Sequence, residues 1–146
     1  MVFAMTTQQA QRLVVLVGLL LPYAVRLPRG LDWMLQYVPP DSPLTGTLLL
    51  TGFNALAWGS MLLLGRLYRH ALSWCFPALP GFAYLAYQHA QLDLASDPNA
   101  ALALAVLPVF ALVPIVLGGV VGYAFDRWWH RRQRADGVET WPPTQF

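Results

Sequence analysis

The chain has no lysine, one cysteine and few charged residues of either sign, 11% of its 146 positions. Soluble domains carry roughly 25% charged residues, so fewer than half of the usual solvating groups are present, and a soluble monomer is not expected. All nine basic residues are arginine, a bias that reflects GC-rich codons and points to a bacterial source instead of a particular chemistry. The lone cysteine, Cys75, excludes thiol–disulfide exchange within one chain. A glycine-rich phosphate loop and a clustered metal-ligand motif are both missing, so no cofactor and no metal are expected. Haem is poorly served as well. His70 and His89 bracket one apolar run and stand about 28 Å apart on an ideal helix, too far to share an iron.

What the chain does have is apolar length. Hydrophobic residues make up 57% of the sequence and the mean hydropathy is +0.47. Three charge-free stretches, 44–65, 71–92 and 100–125, each exceed the roughly 18 residues that mark a spanning helix. In lipid a helix satisfies its backbone hydrogen bonds internally. A fourth run, 13–25, is bracketed by Arg12 and Arg26 and is short for a 30 Å hydrocarbon core, although both arginines can snorkel. Its other reading is a secretory signal peptide, but Pro22-Tyr23-Ala24 lacks the small residue three positions before a cleavage point. The expected fold is an all-α integral membrane protein, a four-transmembrane-helix bundle forming one domain over 1–134. Its spans cover about 11–27, 44–66, 70–92 and 98–127. The tail 135–146 is expected to be flexible.

Arginine placement sets the orientation. Arg12, Arg66, Arg69, Arg127, Arg131, Arg132 and Arg134 fall on one side of the four spans, and Arg26 and Arg29 on the other. Both termini are therefore expected in the cytoplasm, with the protein in the bacterial inner membrane. The same distribution removes the nucleic-acid reading that a pI near 9.0 invites, since the arginines end apolar runs and form no groove-sized patch. Ser42-Pro43 and Asp97-Pro98 read as N-caps followed by proline at the first helical position. Between the first two spans, Leu31, Met34, Leu35 and Val38 recur at helical spacing. They predict a short amphipathic helix over about 30–38 at the outer interface, with Trp33 and Tyr37 at headgroup level.

Several helix faces carry candidate function. Thr47, Thr51, Ala55 and Gly59 form a small-residue ridge on the second span, and Pro114, Gly118, Gly122 and Asp126 a second ridge on the fourth. Such ridges let helices approach closely, either within one bundle or at the seam of a homodimer or partner protein. Asn54, near the middle of the second span, calls for a hydrogen-bonding partner in the bundle or a place on a substrate path. Pro77, Pro80 and Gly81 remove two amide donors from the third span, which either kinks it or breaks it into a site. His89 and Asp93 are i, i+4 neighbours, so the carboxylate could orient the imidazole. An interfacial polar cap is the simpler use of that pair. Arg127, Arg131, Arg132 and Arg134, with Trp128 and Trp129, form an anchor that attracts anionic lipid, at about 1 kcal/mol per arginine.

Two membrane chemistries are disfavoured. Proton-coupled export needs an ionisable group inside the membrane, and every Asp and Glu lies outside the three long apolar stretches. Intramembrane proteolysis needs a serine near a histidine, but Ser60 and His89 fall at opposite ends. The residues favour a non-enzymatic protein acting through its helix faces, as an accessory or assembly subunit of a larger membrane complex. An immunity-type protein against a membrane-acting toxin, a small oligomeric transporter, channel or lipid-handling facilitator, and an outer-leaflet lipid-modifying enzyme using His89 and Asp93 are the alternatives.

Overall fold

A computed structural model describes residues 5–38 and 40–135, so the tail expected to be flexible lies almost wholly outside the described residues. Five α-helices follow one another: α1 (Thr7–Ala24), α2 (Leu31–Leu35), α3 (Pro43–Gly65), α4 (Cys75–Gln91) and α5 (Ala100–Ala135). Short 3-10 turns at Leu27–Arg29 and Ala71–Trp74 precede α2 and α4. Among the described residues there is no strand.

Local chemistry accounts for most boundaries. Thr6 and Gln9 form a capping box, with Gln9 N–H donating to Thr6 Oγ1 (3.2 Å) and Thr6 N–H to Gln9 Oε1 (2.8 Å). Two orphan donors are thereby satisfied, and α1 begins at Thr7, four residues before the expected start. Pro43 opens α3, but the Ser42 side chain makes no capping bond. Asp97 accepts from Asn99 N–H at 2.8 Å, and this turn delays the start of α5 to Ala100. The interfacial helix is only the five residues of α2, followed by a turn. Leu31 and Leu35 are exposed there, whereas Tyr37 points inward and is 3% exposed.

Three segments are long and apolar enough to cross a membrane: Thr7–Arg29, Pro43–Gly65 and Ala100–Arg134. The short first run is among them. The expected third span is instead a 17-residue helix, α4, behind four residues of 3-10 turn. Helix α5 runs unbroken through Pro108 and Pro114 for 36 residues. At 1.5 Å per residue that is about 54 Å, well beyond a 30 Å hydrocarbon core.

Buried positions recur every three or four residues on each helix. They are Ala10, Val14 and Gly18 on α1, Leu50, Asn54, Ala57 and Met61 on α3, Pro77, Gly81, Leu85 and His89 on α4, and Leu107, Ala111 and Ile115 on α5. Many are small, so the backbones approach closely. A Cβ on Gly81 would meet Ile115 Cγ1 and Met61 Cε at 2.5 Å. The opposite faces of α3 and α5 present exposed leucine, valine and phenylalanine, including Leu48, Phe53, Phe110 and Leu117.

Candidate functional site

The third run is held by buried polar groups at both of its ends. At its start, Asp126 of α5 is 1% exposed. Its carboxylate accepts from Arg69 N–H (3.1 and 3.2 Å), His70 N–H (2.9 Å) and the Ser73 hydroxyl (2.8 Å). Amides at a helical N-terminus lack internal partners and favour negative charge, and Asp126 takes the amide of His70, the cap residue of the 3-10 turn, and that of Arg69 before it, from 56 and 57 residues away. At the far end, Arg26 has no exposed surface. It donates from Nη1 to the carbonyls of His89 (2.9 Å) and Leu92 (2.6 Å), from Nε to Trp33 O (2.8 Å), and from Nη2 to Gln36 Oε1 (2.7 Å). A guanidinium at a helical C-terminus is the complementary arrangement. Its charge also lies over the Tyr37 ring at 4.0 Å and the Trp33 ring at 4.8 Å, a cation–π arrangement. Arg26, expected from sequence to extend toward water, is therefore buried within the protein. The α4 carbonyls and the two rings draw it inward.

His89 sits beside this guanidinium, fully buried. Asn54 donates from Nδ2 to Leu50 O at 3.1 Å, which leaves Asn54 Oδ1 as acceptor for His89 Nε2 at 3.1 Å. Nδ1 then accepts from the Tyr37 hydroxyl at 2.9 Å. Burial pushes the Tyr37 phenol up to about 12, so it retains the proton that it donates. The result is a one-way chain, Tyr37 to His89 to Asn54 to Leu50, that fixes the imidazole tautomer by its partners.

The expected His89–Asp93 pair does not form. Helix α4 ends at Gln91 and Leu92 turns extended, which breaks the i, i+4 spacing before Asp93. Asp93 instead accepts from Ser96 Oγ (2.7 Å), Ala95 N–H (3.0 Å) and Gln36 Nε2 (3.1 Å). These bonds, with Ser96 the largest cause and Ala95 next, hold its carboxyl below the usual range. Tyr37 is buried in the protein, with its hydroxyl on His89.

Pro77, Pro80 and Gly81 do not interrupt α4, which is continuous from Cys75 to Gln91. Pro77 lies in the first turn, where no internal amide is needed, and Pro80 is accepted further in. A proline cannot bond the carbonyl four residues earlier, so Pro77 leaves Ser73 O and Pro80 leaves Phe76 O without that partner. Both carbonyls face glycines of α5. A Cβ on Gly118 would overlap Phe76 O, and one on Gly122 would lie 2.9 Å from Ser73 O. The proline pair and the glycine pair thus form one antiparallel seam. Met61 and Ile115 close over Gly81 in the same interface.

The small-residue ridge of α3 is placed differently. Thr47, Thr51, Ala55 and Gly59 are all half-buried, beside the seam built by Leu50, Asn54, Ala57 and Met61. A Cβ on Gly59 would meet nothing within 4 Å. At the end of α5, Arg127, Arg131, Arg132 and Arg134 are exposed. Arg127 lies over Tyr123 at 5.0 Å and Arg132 over Trp128 at 4.6 Å.

Sequence reasoning missed Tyr37, Gln36 and Arg26 as members of the cluster around His89, and Asp126 and Ser73 as partners at the start of the third run. The available signal was Arg26 at the end of one apolar run and an asparagine, Asn54, within another, both of which call for polar partners. Fold and clusters together define an all-helical protein with three helices of membrane-spanning length and apolarity. Comparison with protein-family models, with curated proteins and with solved structures gave no match.

Proposed function

We propose that the chain is a four-span protein of the bacterial inner membrane, with both termini cytoplasmic, that works through its helix faces as an accessory or assembly subunit of a larger membrane complex. The segment 71–91, with its 3-10 turn, rises about 33 Å, close to the 30 Å of a hydrocarbon core, and serves as the third span in chain order, beside α1, α3 and α5. Asp126 and Arg26 then mark its inner and outer ends.

One observation carries the subunit reading. The glycine ridge of α5 is used up against α4, whereas the ridge Thr47, Thr51, Ala55 and Gly59 on α3 is only half-buried, with room at Gly59 for a neighbouring helix. In lipid, close packing of small residues is a main source of helix–helix affinity. The polar groups suited to transport or acid–base work, Asn54 and His89, are engaged with each other and with Tyr37.

The test is Gly59→Leu, alone and with Thr51→Leu, expressed at native abundance in the source membrane. Bundle stability should be unchanged while the mass of the mild-detergent particle falls to that of the chain with its detergent. A particle of unchanged mass, or robust hydrolase or transferase activity in the isolated chain, would sink the proposal.

A further inference from the structure

A groove between α1 and α3, at the end where Arg12 near the start of α1 meets Arg66 at the cap of α3, carries a ligand chemistry of its own. It measures about 530 Å³, with Arg12, Gln11 and Arg66 at one end and Leu16, Leu19 and Leu62 along its wall. Arg12, Leu16 and Leu19 recur at i, i+4 and i+7 on α1, and Leu62 on α3 is followed at i+4 by Arg66, the residue that caps α3. Each helix therefore sets one guanidinium at the end of an apolar strip. Both arginines are exposed, and among the described residues neither side chain has a hydrogen-bond or ion-pair partner. The carboxylate nearest in sequence to Arg66 on this side, Asp126, is already occupied by Arg69 N–H, His70 N–H and Ser73.

The geometry points to an anionic glycerophospholipid as the occupant, its phosphodiester against Arg12 and Arg66 and one acyl chain along Leu16, Leu19 and Leu62. Guanidinium groups match phosphate oxygens with paired donors. Two of them without a carboxylate favour a headgroup of net negative charge over a zwitterionic one, whose ammonium they would repel. A free phosphate would leave the leucine wall unused. The inference rests on the membrane-spanning reading proposed above, and it adds a bound lipid to it.

The full chain, purified in mild detergent and stripped of lipid, is titrated with phosphatidylglycerol or with phosphatidylcholine of the same acyl chains, and bound lipids are counted by native mass spectrometry. The first lipid bound should be phosphatidylglycerol. The double variant R12Q/R66Q should weaken that first binding by about 30-fold, the effect of two surface arginines, while R12K/R66K, which keeps the charge but loses the paired donors, should weaken it less. Retained preference in R12Q/R66Q overturns the inference, as does a loss spread equally over every lipid bound, which is general charge attraction. Displacement of the lipid by millimolar inorganic phosphate or glycerol phosphate overturns the lipid assignment in favour of a soluble phosphate. A carbonate wash of membranes separates the two layers. Release of the chain into the supernatant defeats the membrane reading itself, whereas retention without lipid preference defeats only the site.

Discussion

Replacing Gly118 by alanine adds one methyl group where α5 crosses the part of α4 that its prolines have altered. The new Cβ would overlap Phe76 O and lie 2.8 Å from Phe76 C and 3.0 Å from Pro77 Cα. All three are backbone atoms, so no side chain can rotate away and the two helices must separate. Such overpacking costs about 1–3 kcal/mol, which lowers the folded-to-unfolded ratio about 5- to 150-fold. Gly59→Ala is the matched control, since its Cβ meets nothing within 4 Å. Removing a helical glycine there should leave stability unchanged or raise it by up to about 1 kcal/mol. Both are measured by reversible unfolding in mixed micelles, titrated with sodium dodecyl sulfate and followed by far-ultraviolet circular dichroism. Equal midpoints for the two variants, or a lower one for Gly59→Ala, would refute the seam between proline-freed carbonyls and glycines.

Three further outcomes follow from the buried polar groups. Asp126→Asn keeps one acceptor but loses the charge that three donors share, and should cost about 1.5–3 kcal/mol in the same titration, with Arg26→Gln costing at least as much. Asn54→Leu and Tyr37→Phe should each destabilise by about 1 kcal/mol, and a double-mutant cycle should give a coupling of at least about 0.5 kcal/mol, because both bond the same imidazole; strict additivity would break the chain through His89. The Asp93 carboxyl is held below its usual range, so its contribution is fully present above the unfolded pKa, near 4, and is lost as the pH falls through the folded value. Amide exchange of Ala95, corrected for intrinsic rate, should therefore stay protected at pH 5–7 and lose protection only below about pH 4, and Asp93→Asn should abolish that transition.

Composition and apolar run length made the helices legible. Even the short first run followed local rules, because Thr6 and Gln9 lie at capping-box spacing in the sequence and extend α1 to a spanning length. The third run was harder to read. Its charge-free length predicted one long helix, but its first residues wind as a 3-10 turn around a carboxylate from α5, a partner that local sequence cannot name. His89 illustrates the same limit. Sequence spacing offers Asp93, whereas the side chains that reach the imidazole lie 35 and 52 residues away, on α3 and after α2. The two small-residue ridges looked equivalent on paper. Only the antiparallel register of α4 and α5 sets Gly118 and Gly122 against Phe76 and Ser73, and leaves Gly59 open.

The most direct test of the subunit proposal is the composition of the particle that carries this chain in its own membrane. The chain is tagged at native abundance, extracted directly into polymer-bounded lipid discs, and its particles are weighed and their proteins quantified. The expected result is a stoichiometric particle containing a second membrane protein, lost in Gly59→Leu and retained in a silent control. A particle of this chain and lipid alone that sustains solute flux or lipid turnover in reconstituted vesicles would contradict it.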